Sequence, residues 1–222
     1  MRRPPRVAVL LDENTSSGGT RYEAAKGYFQ SVSRAGGAPF GVPYDPAMVE
    51  LVVADFDALL APGGRYAMPA EWYAGEAAPS PPADRLEVEI GLVRGFLAAD
   101  KPVLGLCAGM QVLAALHGAK LTAQVAGHNE RGRLHEVRVA PGSRLAGLVG
   151  ERLSVNTFHN EAVVEAGAAT ACAWSDDGAI EAVELPQHCF AIGVQWHQEL
   201  HDADHPGAAL FQGLVDACGR AG

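Results

Sequence analysis

Lys101-Pro-Val-Leu-Gly-Leu-Cys-Ala-Gly-Met-Gln111 runs an apolar strand pattern into a cysteine bracketed by glycines and then into an apolar helical pattern. Gly105 and Gly109 each stand two residues from Cys107. That is the spacing of a nucleophile elbow, in which a strand turns sharply into a helix and pushes one side chain outward. A thiol at the tip gains twice. The N-terminus of the helix favours the thiolate, and the Ala108 N–H points to where the oxyanion of a tetrahedral intermediate would form. Acyl transfer through a thioester is the chemistry such a sulfur suits.

A nucleophilic thiol needs a base. Phe190-Ala-Ile-Gly-Val-Gln-Trp-His-Gln-Glu199 is an apolar strand ending in a histidine, followed two places later by a carboxylate. His197 reads as the base and Glu199 as the group that fixes its tautomer, because residues i and i+2 of an extended segment share one side. Taken singly, these residues have plainer readings. A lone cysteine in an apolar run is ordinarily a small buried hydrophobe, and a lone histidine at a strand end a polar surface residue. Their conjunction favours chemistry. A third element, Phe56-Asp-Ala-Leu-Leu-Ala-Pro-Gly-Gly64, is a buried-strand pattern stopped by proline and two glycines. A backbone N–H there, at Gly63 or more readily Gly64, serves as a second oxyanion donor if this strand lies beside the elbow in a parallel sheet.

Gly105 to Gln111, Gly193 to Glu199 and Pro62-Gly-Gly64 together resemble the class I glutamine amidotransferase superfamily, and within it the γ-glutamyl-γ-aminobutyrate hydrolase group, peptidase family C26. Ala35 to Pro43, Asn156-Thr-Phe-His159 and Ser175 to Val183 also look like segments of that group, so the resemblance extends over nearly the whole chain. It implies a flavodoxin-like α/β fold, no cofactor, and cysteine-dependent hydrolysis of a γ-glutamyl amide. By the same resemblance Gln111 faces the glutamyl group, and Asn156 and His159 are pocket residues. Two positions depart from the group. Ala108 stands where γ-glutamyl-γ-aminobutyrate hydrolases usually carry arginine, which removes an anchor for a leaving-group carboxylate. Glu161 stands where the pattern carries glutamine, replacing a neutral amide by an acceptor-only charge.

The order of patterns along the chain is β then α, repeated. This predicts an α/β fold, a mostly parallel sheet with helices on both faces, with a small antiparallel β region added and residues 1–222 forming a single domain. A strand is expected over 6–11, a helix over 20–34, a second strand over 39–42, and a helix opening on an Asp84/Glu87 capping pair with Leu86, Ile90, Val93 and Leu97 as its core stripe. Shorter strands are expected over 121–125, 134–139 and 153–157. A hairpin is expected over 169–185 around Ser175-Asp-Asp-Gly178, and a last helix opens at Pro206 with Leu210, Leu214 and Cys218 on one face. Residues 65–82, with Tyr66, Trp72 and Tyr73 and a proline-rich end, read as a surface loop leaving the proposed oxyanion donor, either a binding lid or a plain excursion.

Composition agrees with a soluble globular protein: 222 residues, 48% hydrophobic and 19% charged. The formal net charge of −9 argues against non-specific nucleic-acid binding. The apolar run after Arg6 is too short for a signal peptide or a membrane span, so a cytoplasmic location is expected. The four cysteines form no C-x-x-C pair, which suggests neither a zinc knuckle nor a disulfide framework, and Cys172, Cys189 and Cys218 read as core. His197-Gln-Glu-Leu-His201 offers three metal donors but not the helical spacing of a zincin, so no metal is expected there. The expected partner is a small γ-glutamyl substrate, with no nucleic acid and no membrane, and a homodimer is compatible with the sequence. Three functions compete: a free-standing γ-glutamyl amidohydrolase, a glutaminase subunit feeding ammonia to a separate synthase, and a non-catalytic relative that keeps only the fold.

Overall fold

Alternation along the strands builds two cores, one on each face of a sheet. In β1 (Arg6–Leu10), Val7 and Val9 join Leu60, Leu104 and Ile192 in one buried cluster, while Ala8 and Leu10 join Leu59 and Val103 in the other. Strands that alternate between two apolar clusters must be covered on both sides. The computed structural model describes residues 3–13, 18–80 and 83–219. After β1 come β2 (Asp12–Glu13), β3 (Tyr22–Glu23), α1 (Lys26–Arg34), β4 (Ala38–Val42), α2 (Val49–Asp55), β5 (Ala58–Ala61) and α3 (Arg85–Ala98). They are followed by β6 (Val103–Leu106), α4 (Ala108–Ala115), β7 (Lys120–Thr122), β8 (Asn129–Val139), α5 (Arg144–Val149), β9 (Arg152–Phe158) and β10 (Ala162–Glu165). The chain closes with β11 (Thr170–Ser175), β12 (Ile180–Glu184), β13 (Ala191–Val194) and α6 (Ala209–Ala217).

The main sheet runs β4-β1-β5-β6-β13-β12-β11-β8-β9, with β10 pairing β12 and β7 to one side. From β4 to β13 every pairing is parallel, and from β13 outward every pairing is antiparallel. Helices α1, α5 and α6 cover one face through residues such as Val32, Leu145 and Leu214, and α2, α3 and α4 cover the other through Val52, Phe96 and Leu113. The expected α/β class therefore holds, and the added antiparallel region takes in β7 to β12. Among the described residues no helix is long and apolar enough to cross a membrane.

Several boundaries differ from those expected. The helix expected from residue 20 starts at Lys26, because Tyr22–Glu23 pairs with Asp12–Glu13 as a small hairpin. Strand β8 begins at Asn129, five positions before the expected start. Its first half, Asn-Glu-Arg-Gly-Arg, carries no apolar alternation, and the register against β9 shifts before Leu134. Helices α2 and α5 and strand β10 are not among the expected elements. Short helices carry few periodic positions, and α5 is announced chiefly by the Ser143 hydroxyl, which accepts from Ala146 N–H at 3.0 Å. Asp84 makes no side-chain cap to α3. The expected α3 stripe does contact the core, but Leu86 and Ile90 are only half-buried, and Arg85 and Glu89 lie deeper than either. Residues 65–80 are anchored by buried Tyr66, Met68 and Tyr73 and by a bridge from Tyr73 to Leu121, and Pro81 and Pro82 lie outside the described residues. Cys172 is fully buried, Cys189 and Cys218 half-buried.

Helix α4 lies so close to the sheet that its second residue must be glycine. A Cβ on Gly109 would stand 2.1 Å from the Ala61 carbonyl oxygen, and one on Gly105 would stand 2.6 Å from the Gly109 backbone. Gly109→Ala is expected to cost about 1–3 kcal/mol in chemical denaturation through overpacking. Gly147→Ala in α5, where an added Cβ meets nothing within 4 Å, is expected to be neutral or to stabilise by up to about 1 kcal/mol.

Candidate active site

The parallel register brings three strand ends to one edge. Ala61 of β5 pairs Gly105 of β6, and Gly105 pairs Gly193 of β13, so the segments that follow all three strands emerge side by side. Ligands of open α/β sheets bind at such carboxyl ends. Past β6, Cys107 adopts φ 51° and ψ −109°, a left-handed conformation that a residue with a side chain adopts at a cost of order 1–3 kcal/mol. Its backbone is held on both sides. The Cys107 N–H donates to Val194 O at 2.8 Å, and its carbonyl accepts from Gln111 N–H at 3.1 Å as α4 begins.

Past β13, fully buried Trp196 fixes the chain, and Asn156 of β9 clamps the next peptide. Asn156 Oδ1 accepts from His197 N–H at 2.9 Å, and its Nδ2 donates to His197 O at 2.7 Å. The His197 ring then reaches Glu199, with Nδ1 and Oε1 2.7 Å apart, and stands near enough to Cys107 for the thiolate to favour its protonated form. The i, i+2 contact is made, though not by extended chain, since Gln198–Leu200 turn as a 3-10 helix. Burial opposes the imidazolium, but the hydrogen bonds and charges of Cys107 and Glu199 outweigh it and raise the His197 pKa to about 10.

The Pro62-Gly63-Gly64 turn presses against this group. A Cβ on Gly63 would lie 2.5 Å from His197 Cε1 and 3.4 Å from Cys107 Cβ. The Gly63 N–H is engaged, donating to Tyr28 Oη at 3.1 Å. No hydrogen bond among the described residues takes the Gly64 N–H, nor that of Ala108 at the start of α4. Burial pushes the Tyr28 phenol well above its ordinary range, and the nearby Glu199 carboxylate adds to the rise.

Beneath the turn lies a buried ion network that the sequence did not reveal. Arg85, fully buried in α3, donates to Pro62 O at 2.7 Å and Gly63 O at 2.9 Å, and pairs with Glu89 at 3.1 Å and Asp12 at 3.1 Å. Tyr66 Oη donates to Glu89 at 2.5 Å. Arg85 thus bolts the glycine turn to α3. Its sequence signal is an arginine and a glutamate four residues apart on the buried side of an amphipathic helix, a pair ordinarily read as a solvated salt bridge.

The expected substrate residues part company. Gln111 and His159 line the cleft in front of Cys107. The Gln111 Nε2 group already donates to Glu161 O and Gln195 Oε1, each at 3.1 Å. Asn156 does not face the cleft: its amide is consumed by the His197 peptide and by His201 Nε2 at 2.9 Å, so its place is behind the histidine rather than on a substrate. His201 accepts that bond as a neutral ring, because burial and then stacked His205 lower its pKa to about 4. The cleft encloses about 1170 Å³. Its lining includes the segment from Gly75 to Ser80 together with Asn160 and Glu161.

Residues 7–199 match the peptidase C26 family. The chain belongs to that family. A candidate glutamine amidotransferase of Mycobacterium tuberculosis is 37% identical over 213 residues, covering 88% of this chain and 68% of that protein. The γ-glutamyl-γ-aminobutyrate hydrolase of Escherichia coli O157:H7 is 29% identical over 238 residues, covering 96% of this chain and 93% of that one. Among solved structures, the glutaminase domain of Trypanosoma brucei CTPS, with acivicin bound, superposes with a TM-score of 0.69 at 14% identity over 97% of this chain and 94% of that one. A candidate GMP synthase component from Thermoplasma acidophilum gives a TM-score of 0.71 at 19% identity over 99% and 96%. Both place this C26 member in the class I glutamine amidotransferase fold.

Removing the bolt leaves a buried carboxylate without its cation. Arg85→Met is expected to lower stability by about 3–5 kcal/mol in urea denaturation. Adding Glu89→Gln is expected to return part of that loss, because the orphaned charge is then gone.

Proposed function

We propose that this C26 protein hydrolyses a γ-glutamyl amide of a small amine through a thioester on Cys107. The observation that carries the reading is the convergence of the strained Cys107, the His197 ring and the Glu199 carboxylate at one cleft. In this reading the Cys107 sulfur attacks the δ-carbonyl carbon, and the oxyanion is received by the Gly64 and Ala108 N–H groups. His197 delivers its proton to the departing amine as the C–N bond breaks. The neutral imidazole then takes a proton from water, which attacks the thioester and releases glutamate. Glu199 keeps the ring in one tautomer and stabilises its protonated form throughout.

Charge on the cleft narrows the leaving group. Glu23, Glu76 and Glu161 line it alongside Arg65, and Tyr73 Oη donates to Glu161 at 2.7 Å. With alanine rather than arginine beside the nucleophile, an acidic rim suits a neutral or cationic amine better than one bearing a carboxylate. The kinship with a candidate glutamine amidotransferase supports a second reading, a glutaminase that supplies ammonia to a separate synthase.

A panel of γ-glutamyl amides assayed for glutamate release, with glutamine included, separates the two. The hydrolase reading expects turnover of a conjugate well above that of glutamine and no stimulation by a partner. Cys107→Ala is expected to abolish turnover with the fold unchanged by circular dichroism, and undiminished activity in that variant would refute the mechanism. Because His197 acts as an acid in its protonated form, kcat/KM is expected to fall as pH rises through about 10. Glu199→Gln withdraws a charge that holds that proton, so the alkaline limb should move to lower pH. A limb that stays in place would remove Glu199 from its role.

A further inference from the structure

Four side chains from three separate segments meet within the antiparallel half of the sheet. They are His128 just before β8, His135 within it, His159 just after β9 and Glu181 near the start of β12. Glu181 is fully buried, and neither of its oxygens has a hydrogen-bond partner among the described residues. A carboxylate in a sheet interior is costly unless a cation meets it, either a protonated imidazole or a metal ion. Its Oε1 lies 3.3 Å from His128 Nδ1, 3.5 Å from His159 Nε2 and 3.7 Å from His135 Nε2. The His128 Nδ1 and His159 Nε2 atoms are 3.1 Å apart.

The far nitrogens of two rings decide what the near ones present. His159 Nδ1 lies 3.0 Å from the Glu161 carbonyl, and His128 Nε2 lies 2.9 Å from Asp177 Oδ2. Carbonyls and carboxylates only accept, so each of those nitrogens carries a proton. In their neutral forms both rings therefore turn a lone pair toward each other and toward Glu181 Oε1. His135 Nε2, the fourth donor, has no hydrogen-bond partner either. Acceptors gathered close together, the His128 and His159 rings backed by a carboxylate and a carbonyl, make the arrangement in which proteins hold a metal.

We propose that His128, His159 and Glu181, with His135 beside them as an outer fourth ligand, form a binding site for a divalent transition metal of the zinc class. Zn–N and Zn–O bonds near 2.0–2.2 Å put tetrahedral ligand atoms about 3.3–3.5 Å apart, close to the separations among His128, His159 and Glu181, whereas His135 Nε2, 3.7 Å from Glu181 Oε1, stands outside that compact trio. Three imidazoles and a carboxylate suit zinc over magnesium or calcium, which prefer all-oxygen shells. The metal would tie β8, β9 and β12 together and hold the Asn160–Glu161 rim of the cleft. It takes no part in the Cys107 chemistry, and its existence does not rest on that reading.

The test is zinc titration of the full chain, stripped with a chelator and read against a chromophoric competitor. It is run on wild type and on Cys107→Ala, so that the cleft thiol cannot supply a rival site. One tight equivalent is expected in both, with a raised melting temperature on zinc addition. Asp177→Asn keeps an oxygen to accept from Ser175 Oγ and Ala179 N–H in the turn but replaces the carboxylate behind His128, and should weaken binding about 10–100-fold. Glu181→Gln and His128→Ala should weaken it further. If those two fail to fold, Asp177→Asn decides. The proposal is overturned if no stoichiometric zinc binds at micromolar concentration, which would mean that a histidinium proton neutralises Glu181, or if affinity is unchanged in Asp177→Asn.

Discussion

The close seating of α4 on the ends of β5, β6 and β13 is the constraint from which the rest follows. Gly109 against Ala61, Gly105 against Gly109 and Gly193 against Met110 leave no room for a Cβ at three positions. That closeness makes the strand-to-helix turn abrupt and forces Cys107 into its left-handed conformation. The energy stored there is offset by two backbone hydrogen bonds and by the apolar cores on either face of the sheet. The thiol is thereby aimed at one point, instead of sampling rotamers over a loop.

Two polar supports are built around that point, and each holds backbone rather than substrate. Arg85 fixes the carbonyls of Pro62 and Gly63, which sets where the glycine amides face. Asn156, from β9 in the antiparallel half, fixes the His197 peptide. The antiparallel half is thus more than an appendage. It supplies the clamp for His197 through β9, one rim of the cleft through His159 to Glu161, and the four-residue cluster around Glu181. Strand β13 joins the two halves, and the histidine that follows it reports on the packing of both.

Burying charge is the recurring device. Arg85 with Glu89, Glu181 with its histidines, and Glu199 with His197 are all ionisable groups removed from water. Such groups lose solvation on burial and must regain it from fixed partners, so each imposes one geometry on the elements that carry it. For Arg85 the imposed geometry is that of the glycine turn, and for Glu199 that of the imidazole. For Glu181 the chain provides only acceptors and the rings' own protons.

How far the sequence reaches depends on whether the signal is local. Gly105 to Gly109 specifies the elbow through spacing alone, and alternation with intervening helical stripes specifies a parallel sheet, so the class of fold and Cys107, His197, Glu199 and the Pro62-Gly-Gly64 turn are legible in the chain. The first half of β8, short α2 and α5, and β10 are not, because their pairing partners rather than their own patterns hold them. The same limit governs the site. Asn156 reads as a pocket residue because its type and neighbourhood suit one. Only the path of β9 past the His197 peptide turns its amide away from the cleft. Arg85 and Glu89 look like a surface pair until the packing of α3 buries them. His128, His135, His159 and Glu181 carry no spacing that links them, and only the antiparallel register brings their atoms together, since contact between remote residues is a property of the folded sheet and not of the chain.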